Sequence, residues 1–218
     1  MADIFHEVDE EVRRDQALEF WKKNQNYVIA LCVAVVALSG GWRYYQNSTR
    51  VAAEAAGARY ESAVALARAG KPGDADEALR SIISGGPAGY ALLARFRSAA
   101  NLGASDPARA VSIYDSLAND ASVDPAMRDV ARLRAAMLAM DTAVYADIRT
   151  RLEPLAAVGG SLRSSARELL AIAALKAGDL EAAGKWFDAI VIDQQAPEQI
   201  RARAEALLGL VSAGQPKG

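Results

Sequence analysis

The sequence predicts an all-α protein: a single N-terminal transmembrane helix followed by an α-solenoid of antiparallel helix pairs. Three observations predict it. An uncharged run of 19 residues, Asn24 to Trp42, lies near the start of the chain. Beyond residue 46 the chain is Ala-rich, has many helix boundaries and shows no alternating strand pattern. A motif of a small residue followed by bulky apolar ones recurs there at a mean spacing of 35 residues.

Composition removes other classes. With 52 % apolar residues, 16 Gly and 7 Pro, the chain is neither disordered nor collagen-like. A net charge of −2 gives no general reason to bind nucleic acid. The single cysteine, Cys32, rules out a disulfide scaffold and a cysteine-based zinc site. The single histidine, His6, removes most His-ligated metal sites and His-dependent triads.

Residues 1–23 are expected to form a cytoplasmic amphipathic head. Through residue 26 seven acids (Asp3, Glu7, Asp9, Glu10, Glu11, Asp15, Glu19) face four bases (Arg13, Arg14, Lys22, Lys23). On a helical wheel Ile4, Phe5, Val8 and Val12 share one stripe, with the acids mainly away from it. The head reads as an extension of the span or as a docking helix for a partner. Its acidic face disfavours anionic lipid.

Residues 24–45 are expected to cross the bilayer. At 1.5 Å per residue, 19 uncharged residues reach ~28 Å, close to a hydrocarbon core of ~30 Å. The strictly apolar stretch, Val28 to Leu38, is only eleven residues, so the flanks decide between a span and a buried core helix. Trp21 and Tyr27 on one side, and Trp42, Tyr44 and Tyr45 on the other, make aromatic belts. Lys22 and Lys23 snorkel at one end and Arg43 at the other. A cleavable signal peptide wants a short basic n-region, which the acidic head is not, although Ala37-Leu38-Ser39 is a weak cleavage match. Leu31 before Cys32 is unsuited to lipoprotein processing, so Cys32 reads as an apolar residue. Four flanking bases before the span against three after it (Arg43, Arg50, Arg59) favour a cytoplasmic N-terminus. The C-terminal domain, 46–218, is then periplasmic in a Gram-negative cell.

That domain reads as helices near 47–69, 74–84, 88–102, 107–119, 125–140, 143–157, 162–177, 180–194 and 197–213. Asp106-Pro107 and Asp124-Pro125 place a capping acid before a proline at the first helical position. Gly86-Pro87 and Ala196-Pro197 are weaker starts, and Ser161 is a candidate cap. Gly70, Gly103 and Gly178 fall where helices should stop. Short loops make successive helices antiparallel.

The repeat gives the second helix of each pair its core face. Ala183, Phe187 and Ile190 stand at i, i+4 and i+7; Ala110, Tyr114 and Leu117, and Ile148, Leu152 and Leu155, repeat that spacing. Ala78 and Ile82 give a shorter version. In the last repeat Leu170, Ala171 and Ala174 supply the matching face of the first helix. Separations of 32 to 38 residues approach the ~34 of a tetratricopeptide repeat, in degenerate form.

The opening DIFHEVDEEVRRDQALEFWKKNQNYVIALCVAVVALSGGWRYYQ, with PAGYALLARFRSAANLG and YDSLANDASVDPAMRDVARLRAAML, resembles the YfgM-type family of membrane-anchored tetratricopeptide proteins. The resemblance covers nearly the whole chain. It implies a single-pass inner-membrane protein with periplasmic repeats, ancillary to the Sec translocon (SecYEG). Implied partners are SecYEG and periplasmic folding factors such as the prolyl isomerase PpiD, with a role in handling emerging polypeptides. It implies no catalytic motif and no cofactor.

Other constellations point nowhere chemical. The cluster Glu7, Asp9, Glu10, Glu11 lacks the spacing and central Gly of a calcium loop. Gly85-Gly86 and Gly159-Gly160 lack the context and Lys of a phosphate loop and read as turns. Ser164-Ser165, beside Arg163 and Arg167, have no base to activate a hydroxyl. Trp186-Phe187 read as core rather than as a groove lining. A small-residue step, Ala30 to Ala34 and Ala37 to Gly41, would permit close helix approach but arises easily in an Ala-rich span. The expected function is an interaction module, not an enzyme, with no small-molecule substrate. A scaffold for a different envelope assembly is the alternative.

Overall fold

Nothing between Asp3 and Arg68 stops a helix: the segment has no proline, and of its three glycines Gly40 and Gly41 have open space around them while Gly57 lies against the Tyr90 side chain. The computed structural model, which describes residues 3–214, accordingly has one helix there, α1 (Asp3–Arg68). The sequence had suggested a head, a span and a separate helix over 47–69. Polar side chains inside α1 satisfy themselves on their own turn: the hydroxyl of Ser39 donates to the Val35 carbonyl at 2.6 Å and that of Ser48 to the Tyr45 carbonyl at 2.9 Å.

The chain divides into two compact units, residues 1–55 and residues 56–218. In the first, Ile29, Leu31, Val33, Val35, Val36 and Leu38 are each more than half exposed. Among the described residues this is the one helix long and apolar enough to cross a membrane. The Ile4, Phe5, Val8, Val12 stripe, His6 and the acidic cluster have side chains outside the described residues.

The second unit takes in the end of α1 and then α2 (Pro72–Gly85), α3 (Ala88–Leu102), α4 (Pro107–Ala118), α5 (Pro125–Ala139), α6 (Tyr145–Leu152), α7 (Arg163–Lys176), α8 (Leu180–Val191) and α9 (Glu198–Gly214). No strand occurs among the described residues. Capping acids set three starts: the carboxylates of Asp106, Asp124 and Asp179 accept from the backbone N–H of Arg109, Ala126 and Ala182 at 3.0, 2.9 and 2.9 Å. Gly70 (φ 73°) and Gly178 (φ 78°) end α1 and α7 in the left-handed region. The next residues, Lys71 and Asp179, donate back to Leu66 and Ala174 carbonyls, the bond pattern of a Schellman stop.

Several boundaries differ from expectation. The helix expected over 74–84 begins two residues earlier, with Pro72 at its first position. Pro87 and Pro197 stand just before α3 and α9 rather than inside them. The helix expected over 143–157 stops at Leu152 and tightens to a 3-10 turn, Glu153–Ala156, because Pro154 has no N–H to continue the α pattern. Ser161 does not cap α7: Leu162 holds the cap position, with no side-chain bond.

From α2 onward each helix packs on its sequence neighbours, and α5 also meets α7 and α7 meets α9. The core sits at the joints between pairs. Ala110, Tyr114 and Leu117 of α4 are buried with Ala131 of α5. Ile148, Leu152 and Leu155 are buried with Ala166 of α7, and Ala183, Phe187 and Ile190 of α8 with Ala204 of α9. Leu170, Ala171 and Ala174 are fully buried on α7. The first joint corrects the register. Ala78 is only half-buried, and Ala75, Leu79 and Ile82 form the buried i, i+4, i+7 triad, against Ala94 of α3. With 75 as its start the triad recurs at 75, 110, 148 and 183.

Candidate functional site

The residues expected to anchor the span are surface residues of the first unit. Trp21, Lys22, Lys23, Tyr27, Trp42, Arg43, Tyr44 and Tyr45 are all exposed on α1. Cys32 is likewise exposed, as an apolar residue of this segment would be. Among the described residues no group of three or more His, Cys, Asp or Glu is placed to hold a metal.

In the second unit the buried alanines Ala94, Ala131, Ala166 and Ala204 mark equivalent positions on α3, α5, α7 and α9. They fix which residues of these first helices face outward. Six residues after each comes Ala100, Met137, Ile172 and Leu210, an apolar ladder with one rung per helix. Met137 is 46 % and Leu210 70 % exposed, Ala100 is exposed and Ile172 half-buried. Three residues after each alanine stand Arg97, Arg134, Leu169 and Leu207. This face carries apolar side chains on every helix and two arginines on α3 and α5. Sequence reasoning did not single out this face. The signal lay in the recurrence of alanine at intervals of 37, 35 and 38 residues.

On the second helices, α6 and α8 flank a groove of about 440 Å³ lined by Tyr145, Arg149, Lys185 and Trp186. The expected core pair Trp186-Phe187 is split here. Phe187 is fully buried, whereas Trp186 is half-buried at the groove and donates its indole N–H to the Tyr145 hydroxyl at 3.1 Å. The charges of the groove have local partners: Arg149 pairs with Glu153 and Lys185 with Glu181, and Asp179 caps α8.

Ion pairs between an arginine of a first helix and the acid after its second helix hold two of the pairs. Arg95 meets Asp120 at 3.0 Å, and Arg163 and Arg167 meet Asp193 at 2.6 and 3.1 Å. The two arginines that flank Ser164-Ser165 are therefore structural: Arg167, 8 % exposed, also donates to the carbonyls of Ala156 and Ala189. Hydrogen bonds from Ser122 and then Arg95 pull the Asp120 carboxyl down to about 2, against a smaller opposing effect of desolvation. Arg163, first among its partners, holds Asp193 well below the usual carboxylate range. Arg151 and Asp115 pair across α6 and α4, and Arg203 and Glu168 across α9 and α7 at 2.7 Å.

No curated protein and no solved structure matches the chain. A family model, described as tetratricopeptide repeat-like domain, matches residues 18–158, well over half of the chain. The match stops before α7, yet α7, α8 and α9 repeat the buried triad and joint alanine of the matched part. A degenerate array of helix pairs agrees with that match, and the chain belongs to the tetratricopeptide repeat-like domain family.

Proposed function

We propose that the protein is a membrane-tethered interaction module at the bacterial Sec translocon that assists export or periplasmic folding of emerging polypeptides. Repeat arrays of this family serve as protein-interaction scaffolds, and such scaffolds present extended surfaces across neighbouring repeats. The observation that carries the reading is the apolar ladder Ala100, Met137, Ile172, Leu210, outward on four successive first helices. Such a surface suits unfolded or extended protein better than a compact small molecule. The layout proposed with it is a cytoplasmic head over 1–23, a span over 24–45 and a periplasmic repeat domain over 46–218. It rests on one sufficiently apolar helix, its aromatic and basic flanks and the four-to-three bias of flanking bases.

The translocon and PpiD enter through the resemblance of the opening residues to the YfgM-type family. No catalytic role is proposed. A reporter fused after Gly218 is expected to be active on the periplasmic side only, and the full-length protein to co-purify with SecYEG from solubilised membranes. Cytoplasmic reporter activity overturns the topology. Stable recovery of one unrelated envelope complex, without the translocon, favours the alternative scaffold.

A further inference from the structure

Between Asn24 and Ala55 helix α1 carries three charges, Arg43, Arg50 and Glu54. At about 100° per residue they fall within a sector of roughly 40° on one side of the helix. Arg50 finds its partners on that same side: it meets Glu54 at 3.5 Å and donates to the Asn47 side-chain oxygen at 3.2 Å.

The opposite side repeats every seven residues. Leu31, Leu38, Tyr45 and Ala52 form one row. Ala34, Gly41, Ser48 and Ala55 form a second, three residues further on. Bulky residues beside small ones let two helices interdigitate at close range, in membranes as in coiled coils. A seven-residue pattern drifts by ~20° per repeat on a straight helix, and a left-handed supercoil of two helices takes up that drift. The hydroxyls of Ser48 and of Thr49 beside it both donate to the Tyr45 carbonyl, at 2.9 and 3.0 Å, so neither requires a polar partner.

Among the described residues nothing covers this side. Leu31, Leu38 and Tyr45 are 65, 74 and 64 % exposed, and the other members of both rows are exposed as well. Lipid suits the rows only as far as Tyr45, where the proposed span ends. From Ser48 to Ala55 the pattern runs on into water, where most helices are stabilised by packing one face on protein. It stops at Ala55: the next place in the first row is Arg59, and Ala56 is already buried in the repeat unit.

Two features select a second copy as the covering partner. Copies held by the same span lie parallel and at the same depth, so each row meets its own image without a shift. A charge on such a face would oppose itself, and this face has none between Asn24 and Ala55. A different partner sets no such condition, because unlike charges can pair across an interface.

We propose that α1 pairs with α1 of a second copy of the chain, parallel and in register, through these two rows. The pairing crosses the bilayer and continues beyond it to Ala55. It goes beyond the interaction-module reading and rests only on residues 24–45 being the span.

The test uses the full-length protein in native membranes, oxidised with copper phenanthroline. Cys32 lies off both rows, so the unaltered chain is expected to form no disulfide dimer. In a Cys32→Ser background, Tyr45→Cys, Ser48→Cys and Ala52→Cys are each expected to give dimers. Arg43→Cys, Asn47→Cys and Arg50→Cys are expected to give about tenfold less, since a disulfide needs Cα atoms within ~7 Å. Ala52→Glu or Ala52→Lys, added to the Ser48→Cys chain, is expected to abolish most of its dimer. Expressed together, the two are expected to recover it as the mixed pair. Arg50→Glu, on the opposite side, is expected to leave the dimer unchanged. Equal yields from all positions, dimers centred on Arg43 and Arg50, or no dimer at all overturn the proposal. A photo-crosslinker at Tyr45 that captures only a different protein assigns the face to that protein and overturns it too. The reporter after Gly218 reads the span independently, so a periplasmic reporter without dimers overturns the pairing and leaves the topology standing.

Discussion

Phe187 shows what one side chain does in this array. It is fully buried between α8 and the joint with α9, so Phe187→Ala is expected to lower the stability of the repeat unit by ~3–5 kcal/mol, measured by denaturant unfolding. Its neighbour Trp186 should cost less, because one side of its ring already lines an open groove. Asp120 and Asp193 contribute to the acid sensitivity, with Asp141, held low by its bond from Lys176, as a third and more exposed contributor. All three carboxyls titrate lower in the folded chain than the ~3.9 of an unfolded aspartate. Their contribution is therefore present above about pH 4 and is lost as pH falls through the folded values, near 2 for Asp120. Asp193→Asn should lower the melting temperature at pH 7 and flatten its decline below pH 4. An unchanged acid limb in a pH series would assign that sensitivity to other carboxylates. At this scale the caps were legible: Asp106 and Asp124 could be read from an acid before proline, a purely local signal. Partners such as Arg167 and Asp193 could not, because 26 residues separate them and only the packing of α7 on α8 brings them together.

Whole elements show the same division between local and distant causes. Helices α3, α4, α5 and α8 begin where their prolines, acids or turns put them, whereas α6 is halved by Pro154. The head, span and first repeat helix merge into α1 because composition changes there without any residue that breaks a helix. The first stripe was read short, because Ala78 and Ile82 have an acceptable i, i+4 spacing on their own and the buried Ala75 and Leu79 were passed over. Leu79 is fully buried in the cluster that holds Ala94 of the next helix, whereas Ala78 packs against that cluster only half-buried. Leu79→Ala is accordingly expected to cost ~2–5 kcal/mol, and Ala78→Ser less than about 0.5 kcal/mol, as for ordinary surface changes. Equal costs in thermal unfolding would restore the shorter stripe. The joint alanines predict the opposite fault. Ala131→Leu forces extra volume against Tyr114 and Leu117 and should cost ~1–3 kcal/mol through overpacking.

For the molecule as a whole, the all-α class and the repeat family follow from periodicity that each segment carries within itself, and they were legible. The proposed interaction face was not, because it exists only once the helices that carry Ala94, Ala131, Ala166 and Ala204 are folded. The near-neutral charge offers weak long-range steering toward a client, so tethering beside an export channel is the proposed substitute, raising the effective concentration toward ~mM for a short connection. Replacing residues 24–45 with an unrelated span should then recover only part of the translocon association, if the native span makes contacts of its own. The most direct test of the central claim is site-specific photo-crosslinking in intact cells from Met137 and Leu210 on the first-helix face, with Lys185 on the second-helix face as reference. The account predicts adducts with translocating polypeptides and translocon subunits from the first two positions, far exceeding those from Lys185. Equal adducts from all three, or none from Met137 and Leu210 during active export, would contradict it.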